Sequence, residues 1–222
     1  MSDLLRGRAG AAAVALLVVA VAAAAGLLAG ARIASEGAGT RAPADSSVDA
    51  GFARDMQVHH AQAVQMSMLV RENTDDQEVR ALALDVLLTQ QQQIGQMYGW
   101  LASWGLSQVS DRPPMAWMHD GADDQMSGMA GMGTSSPGMP AMASQEQLEQ
   151  LERAQGPDAA VVYLQLLVPH HQGAVEMARA AATSAHEPQV RRLAQSITDS
   201  QLSEIAVLEQ MLARRGASAL PA

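Results

Sequence analysis

Two copies of one cassette, His-His-x5-Met, stand 111 positions apart in this chain: His59, His60 and Met66, then His170, His171 and Met177 (170 − 59 = 111). Four of the six histidines fall in those two pairs. Imidazole with thioether is a soft-to-borderline ligand set, suited to Cu(I), and imidazole also holds Cu(II). Hard cations such as Mg or Ca would want oxygen ligands instead. Zinc could sit on histidine alone, which would leave the methionines without a role. The chain has no cysteine, so thiolate metal sites and disulfides are both excluded.

On a helix of about 100 degrees per residue, His59, His60 and Met66 fall within one arc of about 120 degrees together with Met56 and Ala63. The small Ala63 in the middle leaves room beside the ligands. Met56 also stands i to i+4 with His60. In the second copy Leu167 replaces Met56, and Pro169 precedes the histidine pair, where it is expected to kink the helix or loosen a backbone bond. A third candidate group is Met115, Met118 and His119 with Met126-x-x-Met129-x-x-Met132, similar to methionine-rich segments that pick up copper loosely. Each feature has a plainer reading. Met66 and Met177 could be core filler, as Met97 and Met211 are expected to be. The linker methionines could belong to a flexible tether; Trp100, Trp104 and Trp117 read as packing residues, and His186 as a turn residue.

The elements that must position these groups follow the same offset. Phe52 matches Tyr163, Ala63-Val64 matches Ala174-Val175, Val79-Arg80 matches Val190-Arg191, Gln90 matches Gln201, and Gly105 matches Gly216. An ungapped repeat over more than fifty residues means a duplicated supersecondary unit. A helix is expected from near Ser47, with Ser46-x-x-Asp49 as its capping box. Thr74-x-x-Gln77 should open a second helix that ends at Gly105. Residues 106–143, broken by Gly, Pro, Ser and Asp, read as a mobile Met-rich linker. Ser144-x-x-Gln147 opens a short helix ending at Gly156-Pro157. The second hairpin then runs from about Asp158 to Ala185 and from Pro188 to Arg215.

Two amphipathic hairpins, neither able to bury its apolar stripe alone, predict an all-α, antiparallel four-helix bundle. Its domain spans 48–216, with hairpin one at 48–105, the linker at 106–143 and hairpin two at 144–216. Residues 1–31 carry Arg6 and Arg8 before an uncharged Ala/Val/Leu run. They read as a signal peptide or an N-terminal membrane anchor, followed by a flexible tether at 32–47. Either reading exports the working part, and the membrane is a partner only if the segment stays uncleaved. A formal charge of -9 without any lysine excludes the basic stripe that nucleic acid needs.

The doubled cassette, Met56-x-x-His59-His60-x-x-Ala63-Val64-x-Met66 and Pro169-His170-His171-Gln172-Gly173-Ala174-Val175-Glu176-Met177-Ala178, resembles the Domain of Unknown Function 305 family. So do the Gln90 to Ile94 and Gln201 to Ile205 stretches that follow. The resemblance covers roughly residues 48 to 216. It implies a ferritin-like four-helix bundle and, since the family includes periplasmic copper-binding proteins, copper held in the envelope by a metallochaperone, buffer or resistance factor. The ligands it implies are Met56, His59, His60, Met66, His170, His171 and Met177. This chain departs from the pattern where Leu167 replaces a methionine and where Gln93 replaces the acidic residue seen at Glu204.

The expected function is therefore an exported, non-enzymatic copper-binding protein, with Cu(I) favoured over Cu(II) and a metal ion as its partner. A structural or interaction module of the envelope without metal is the alternative. A di-metal oxidase would need Glu-x-x-His pairs, which the sequence lacks. A haem protein would have to bind without a Cys-x-x-Cys-His attachment site.

Overall fold

The computed structural model describes residues 42–118 and 138–220. Residues 1–31, read from the sequence as a signal or anchor segment, most of the expected tether, and His119, Met126, Met129 and Met132 lie outside the described residues. Among the described residues are five α-helices: α1 Val48–Asn73, α2 Gln77–Ser103, α3 Gln145–Arg153, α4 Gly156–Ser184 and α5 Pro188–Arg214. A 3-10 turn spans Ala116–Met118. The described residues contain no strand, and no helix among them is long and apolar enough to cross a membrane.

The helix ends show which polar groups win locally. At α1 the cap is Ser47, whose hydroxyl accepts from the Ala50 N–H at 3.2 Å, one residue on from the expected box. At α2 the expected Thr74 signature gives way to Asp76, whose carboxylate accepts from both Glu78 and Val79 N–H groups. A carboxylate serving two orphan donors outcompetes a hydroxyl serving one, and Thr74 instead ends α1. The Ser144–Gln147 capping box of α3 forms in full. α3 stops at Arg153 rather than at Gly156-Pro157, and Gly156, with φ of 57°, starts α4. Gly105 and Gly216 both take left-handed φ, 70° and 68°. In each case the next N–H reaches back to Leu101 or Leu212 at 2.9 and 3.0 Å, closing the same C-terminal motif in both repeats.

Each hairpin turns through three residues, 74–76 and 185–187. The hairpins pack on each other chiefly through α1 and α4. One end of the core gathers Phe52, Met56, Met97 and Leu101 with Ala174, Met177, Ala178 and Ile197. The other gathers Ala63, Met66, Val79 and Val86 with Tyr163, Leu164, Leu167 and Leu208. The early part of α1 therefore meets the late part of α4 and the reverse, so the two central helices are antiparallel. Pro169 is accommodated inside the unbroken α4. Charged links tie the ends: buried Asp49 accepts backbone N–H groups from His186 and Glu187, and Arg215 reaches Asp76 at 2.6 Å. The exposed His186 is a turn residue.

The described parts of the linker are docked, contrary to the reading of 106–143 as mobile throughout. Asp55 on α1 accepts from the Met115 N–H at 2.7 Å and from the Trp117 indole N–H at 2.8 Å. Trp117 packs edge-on against Phe52, with ring centroids 5.9 Å apart. Gly51 makes room for it, since a Cβ there would stand 2.5 Å from the indole.

Candidate metal site

Between the two apolar clusters lies a layer of four histidines, His59 and His60 from α1 and His170 and His171 from α4, all with zero exposure. The sequence suggested two separate clusters. Antiparallel packing of α1 on α4 superposes them at one level, with the His59 and His170 rings 3.9 Å apart and those of His170 and His171 6.4 Å apart.

Three of these rings have their protons assigned by their partners. His59 donates through Nε2 to the Pro140 carbonyl at 3.1 Å, and His171 through Nε2 to the Glu204 carboxylate at 2.7 Å. His60 donates through Nε2 to the Gln93 amide oxygen at 2.7 Å. With Nε2 protonated, the neutral rings of His59 and His60 each present an Nδ1 lone pair, and the remaining ring nitrogen of His171 is likewise its Nδ1. In the folded chain those three Nδ1 atoms have no hydrogen-bond partner, and neither nitrogen of His170 has one. A buried polar atom without a partner costs the fold free energy, about 1–3 kcal/mol each, so five in one layer call for an explanation.

Burial holds His59, His60 and His170 neutral. Desolvation lowers the His59 pKa to about 4 and the His60 pKa to about 3, and the neighbouring imidazoles add to this. His170 is pushed well below its ordinary value, first by desolvation and then by the other three histidines. Lone pairs are thus available for a metal without proton competition. Among the described residues, no three His or carboxylate side chains are already gathered into a ligand shell. The layer offers unpartnered nitrogens that are not yet gathered on one point.

The sulfurs flank this layer unevenly. Met56 and Met177 share the cluster on one side, with Met115 buried beside them and Met118 and Met139 packed against it. Met66 lies in the opposite cluster with Leu167. The Leu167 departure therefore falls on the Met66 side, while Met56 and Met177 share the other cluster. Met97 and Met211 are core residues as expected.

Several participants were not singled out as site residues in the sequence. Gln93 and Glu204 are repeat equivalents (93 + 111 = 204), and each holds the second histidine of its cassette. Their shared offset was a usable signal. Gln90 and Gln201, also equivalents, are buried with unpartnered amide oxygens. Pro140 lies 81 residues from His59, and nothing local announces it.

The model of the domain of unknown function DUF305 matches residues 49–212. The chain belongs to the DUF305 family. A DUF305 protein from Streptomyces coelicolor is 44% identical, with a TM-score of 0.72, over 81% of this chain and 100% of that one. A DUF305 fragment from Deinococcus radiodurans is 30% identical, with a TM-score of 0.59, over 75% of this chain and 96% of that one. CopM in its Cu(I)-bound form is 25% identical, with a TM-score of 0.54, over 75% of this chain and 96% of that one. CopM is also known in a Cu(II)-bound form, 26% identical with the same TM-score, over 74% of this chain and 95% of that one. No protein of curated function matches significantly.

Proposed function

We propose that this protein is an exported copper-binding member of DUF305 with no catalysis of its own, serving as a metallochaperone, buffer or resistance factor. Cu(I) is the favoured ion and Cu(II) the second. The observation that carries this reading is the set of five buried, unpartnered ring nitrogens in one layer, bordered by Met56, Met177 and Met66. Such a set is costly unless something electrophilic completes it, and nitrogen beside thioether selects a soft ion. The copper-bound forms of CopM support the same choice of metal. The basic start and apolar run of residues 1–31 support export, and the Streptomyces coelicolor relative is provisionally described as a secreted protein.

In this reading His59, His60 and His171 supply Nδ1, His170 supplies either nitrogen, and the methionine sulfurs complete a mixed shell. His119, Met126, Met129 and Met132 form a looser collecting segment beyond the docked Met115 and Met118. The test is an anaerobic competition titration of the exported domain with Cu(I). The expected result is tight binding that falls at least about 100-fold when all four paired histidines become alanine, more than losing one hydrogen-bond partner of a ligand ring would cost. Equal affinity in that variant would remove the histidines from the site.

A further inference from the structure

Residues 139–143 cross the outside of α1 and α4 as a short strap, and three anchors fix them. At one end, Gln62 on α1 grips the Ala143 backbone twice, donating to its carbonyl at 2.9 Å and accepting from its N–H at 2.7 Å. At the other end Pro140 rests on Gly173 of α4. A Cβ at that glycine would collide with the Pro140 carbonyl oxygen and lie 2.8 Å from its carbon and 3.1 Å from the Ala141 Cβ. Gln62 and Gly173 are repeat equivalents (62 + 111 = 173), so one strap uses the same position of both hairpins in two different ways. Ala141 sits at φ of 52°, a left-handed conformation that a non-glycine residue keeps only when its surroundings impose it. The third anchor is the site itself: the Pro140 carbonyl accepts the hydrogen bond from Nε2–H of buried His59.

From this we propose that the strap is a positioning element of the metal site: its Pro140 carbonyl selects the Nδ1 nitrogen of His59 for the metal, with Gly173 and Gln62 as the residues that hold that carbonyl in place. Acceptors that fix the tautomer and orientation of a ligand histidine are known to set metal affinity. Here the acceptor for His59 is a backbone carbonyl brought in from the linker, whereas His60 and His171 use side chains of their own hairpins, Gln93 and Glu204. One ligand is thereby tied to the Met-rich segment that ends at the strap. Gly173 sits within the unbroken α4 with no turn or left-handed φ to require it, and the close approach of Pro140 supplies the reason.

The inference rests on the copper reading for its metal arm and stands free of it for its other arm. In metal-free protein, long-range 1H–15N spectra should show His59 as the Nε2-protonated tautomer. In Gly173→Ala and, separately, Gln62→Ala, that signal should shift toward a tautomer mixture, while the His171 signal stays unchanged. Cu(I) affinity of both variants should fall about tenfold. Gln62→Ala adds no Cβ to the crowded helix contact, so it keeps the test open if Gly173→Ala folds poorly. A His59 tautomer and a Cu(I) affinity unchanged in Gln62→Ala would overturn the strap's role. A wild-type protein that bound no copper would sink the proposed function alone, since the tautomer shift would still decide about the strap.

Discussion

At the scale of single residues, the site is governed by which ring nitrogen keeps a partner. Glu204 and Gln93 occupy equivalent positions and give His171 and His60 unequal support, an anionic acceptor against a neutral one. A charged acceptor makes the stronger hydrogen bond and raises the basicity of the ligand ring. Glu204→Gln should weaken Cu(I) binding about tenfold, and Gln93→Glu should strengthen it; a competition assay with a chromogenic Cu(I) chelator reads both. The buried histidines also predict a pH dependence. His59 and His60 titrate at about 4 and about 3 in the fold against 6.5 when unfolded. Below pH 6.5 the unfolded chain therefore binds protons that the native chain refuses, and stability falls as pH drops. Each such group contributes a slope approaching about 1.4 kcal/mol per pH unit. Metal-free protein should lose stability to urea progressively from pH 6.5 to pH 4; a midpoint constant over that range would mean that these rings are not buried and neutral.

At the scale of elements, what could be read in advance was whatever is local or periodic. The two hairpins, the Ser144 box and the glycine ends at Gly105 and Gly216 follow from residues within a turn of each other. So does the arc that carries Met56, His59, His60 and Met66. The Thr74 signature failed because Asp76, two residues on, offers a carboxylate to two N–H groups at once. The merging of the cassettes depends on α1 lying antiparallel on α4, and no spacing within either helix encodes it. Trp117 on Asp55 and Pro140 on His59 join residues 62 and 81 positions apart, beyond the reach of pattern reading. Gly51 is the corresponding test of an element contact. Gly51→Ala improves helix propensity by about 1 kcal/mol but drives a methyl into Trp117, at a cost of about 1–3 kcal/mol. The net expectation is a lower Tm, with Trp fluorescence shifted to longer wavelength as the indole leaves the core. The sulfurs also act by side of the layer. Met56→Leu with Met177→Leu, a change close to volume-conserving, should reduce affinity for Cu(I) more than for Cu(II), because thioethers select the softer ion.

At the scale of the whole molecule, a polar histidine layer divides what would otherwise be one continuous apolar core. Its unpartnered nitrogens cost the metal-free fold stability, so completing them should stabilise the protein as a unit. Copper at 100 times its dissociation constant should add about 2.7 kcal/mol, a rise of several degrees in Tm for a domain of this size. A Tm unmoved by Cu(I) would point to a purely structural layer. The duplicated hairpin brings two histidine cassettes to one level, and the departures Leu167 and Gln93, with the strap on one side, make that layer asymmetric. The most direct measurement of the central claim is copper K-edge X-ray absorption on the Cu(I)-loaded helical domain. A mixed nitrogen and sulfur shell with the multiple-scattering signature of imidazole, lost in His59→Ala/His170→Ala, is the predicted result. A shell of sulfur alone, the same in wild type and that variant, would contradict it and place the metal on the methionines away from the histidine layer.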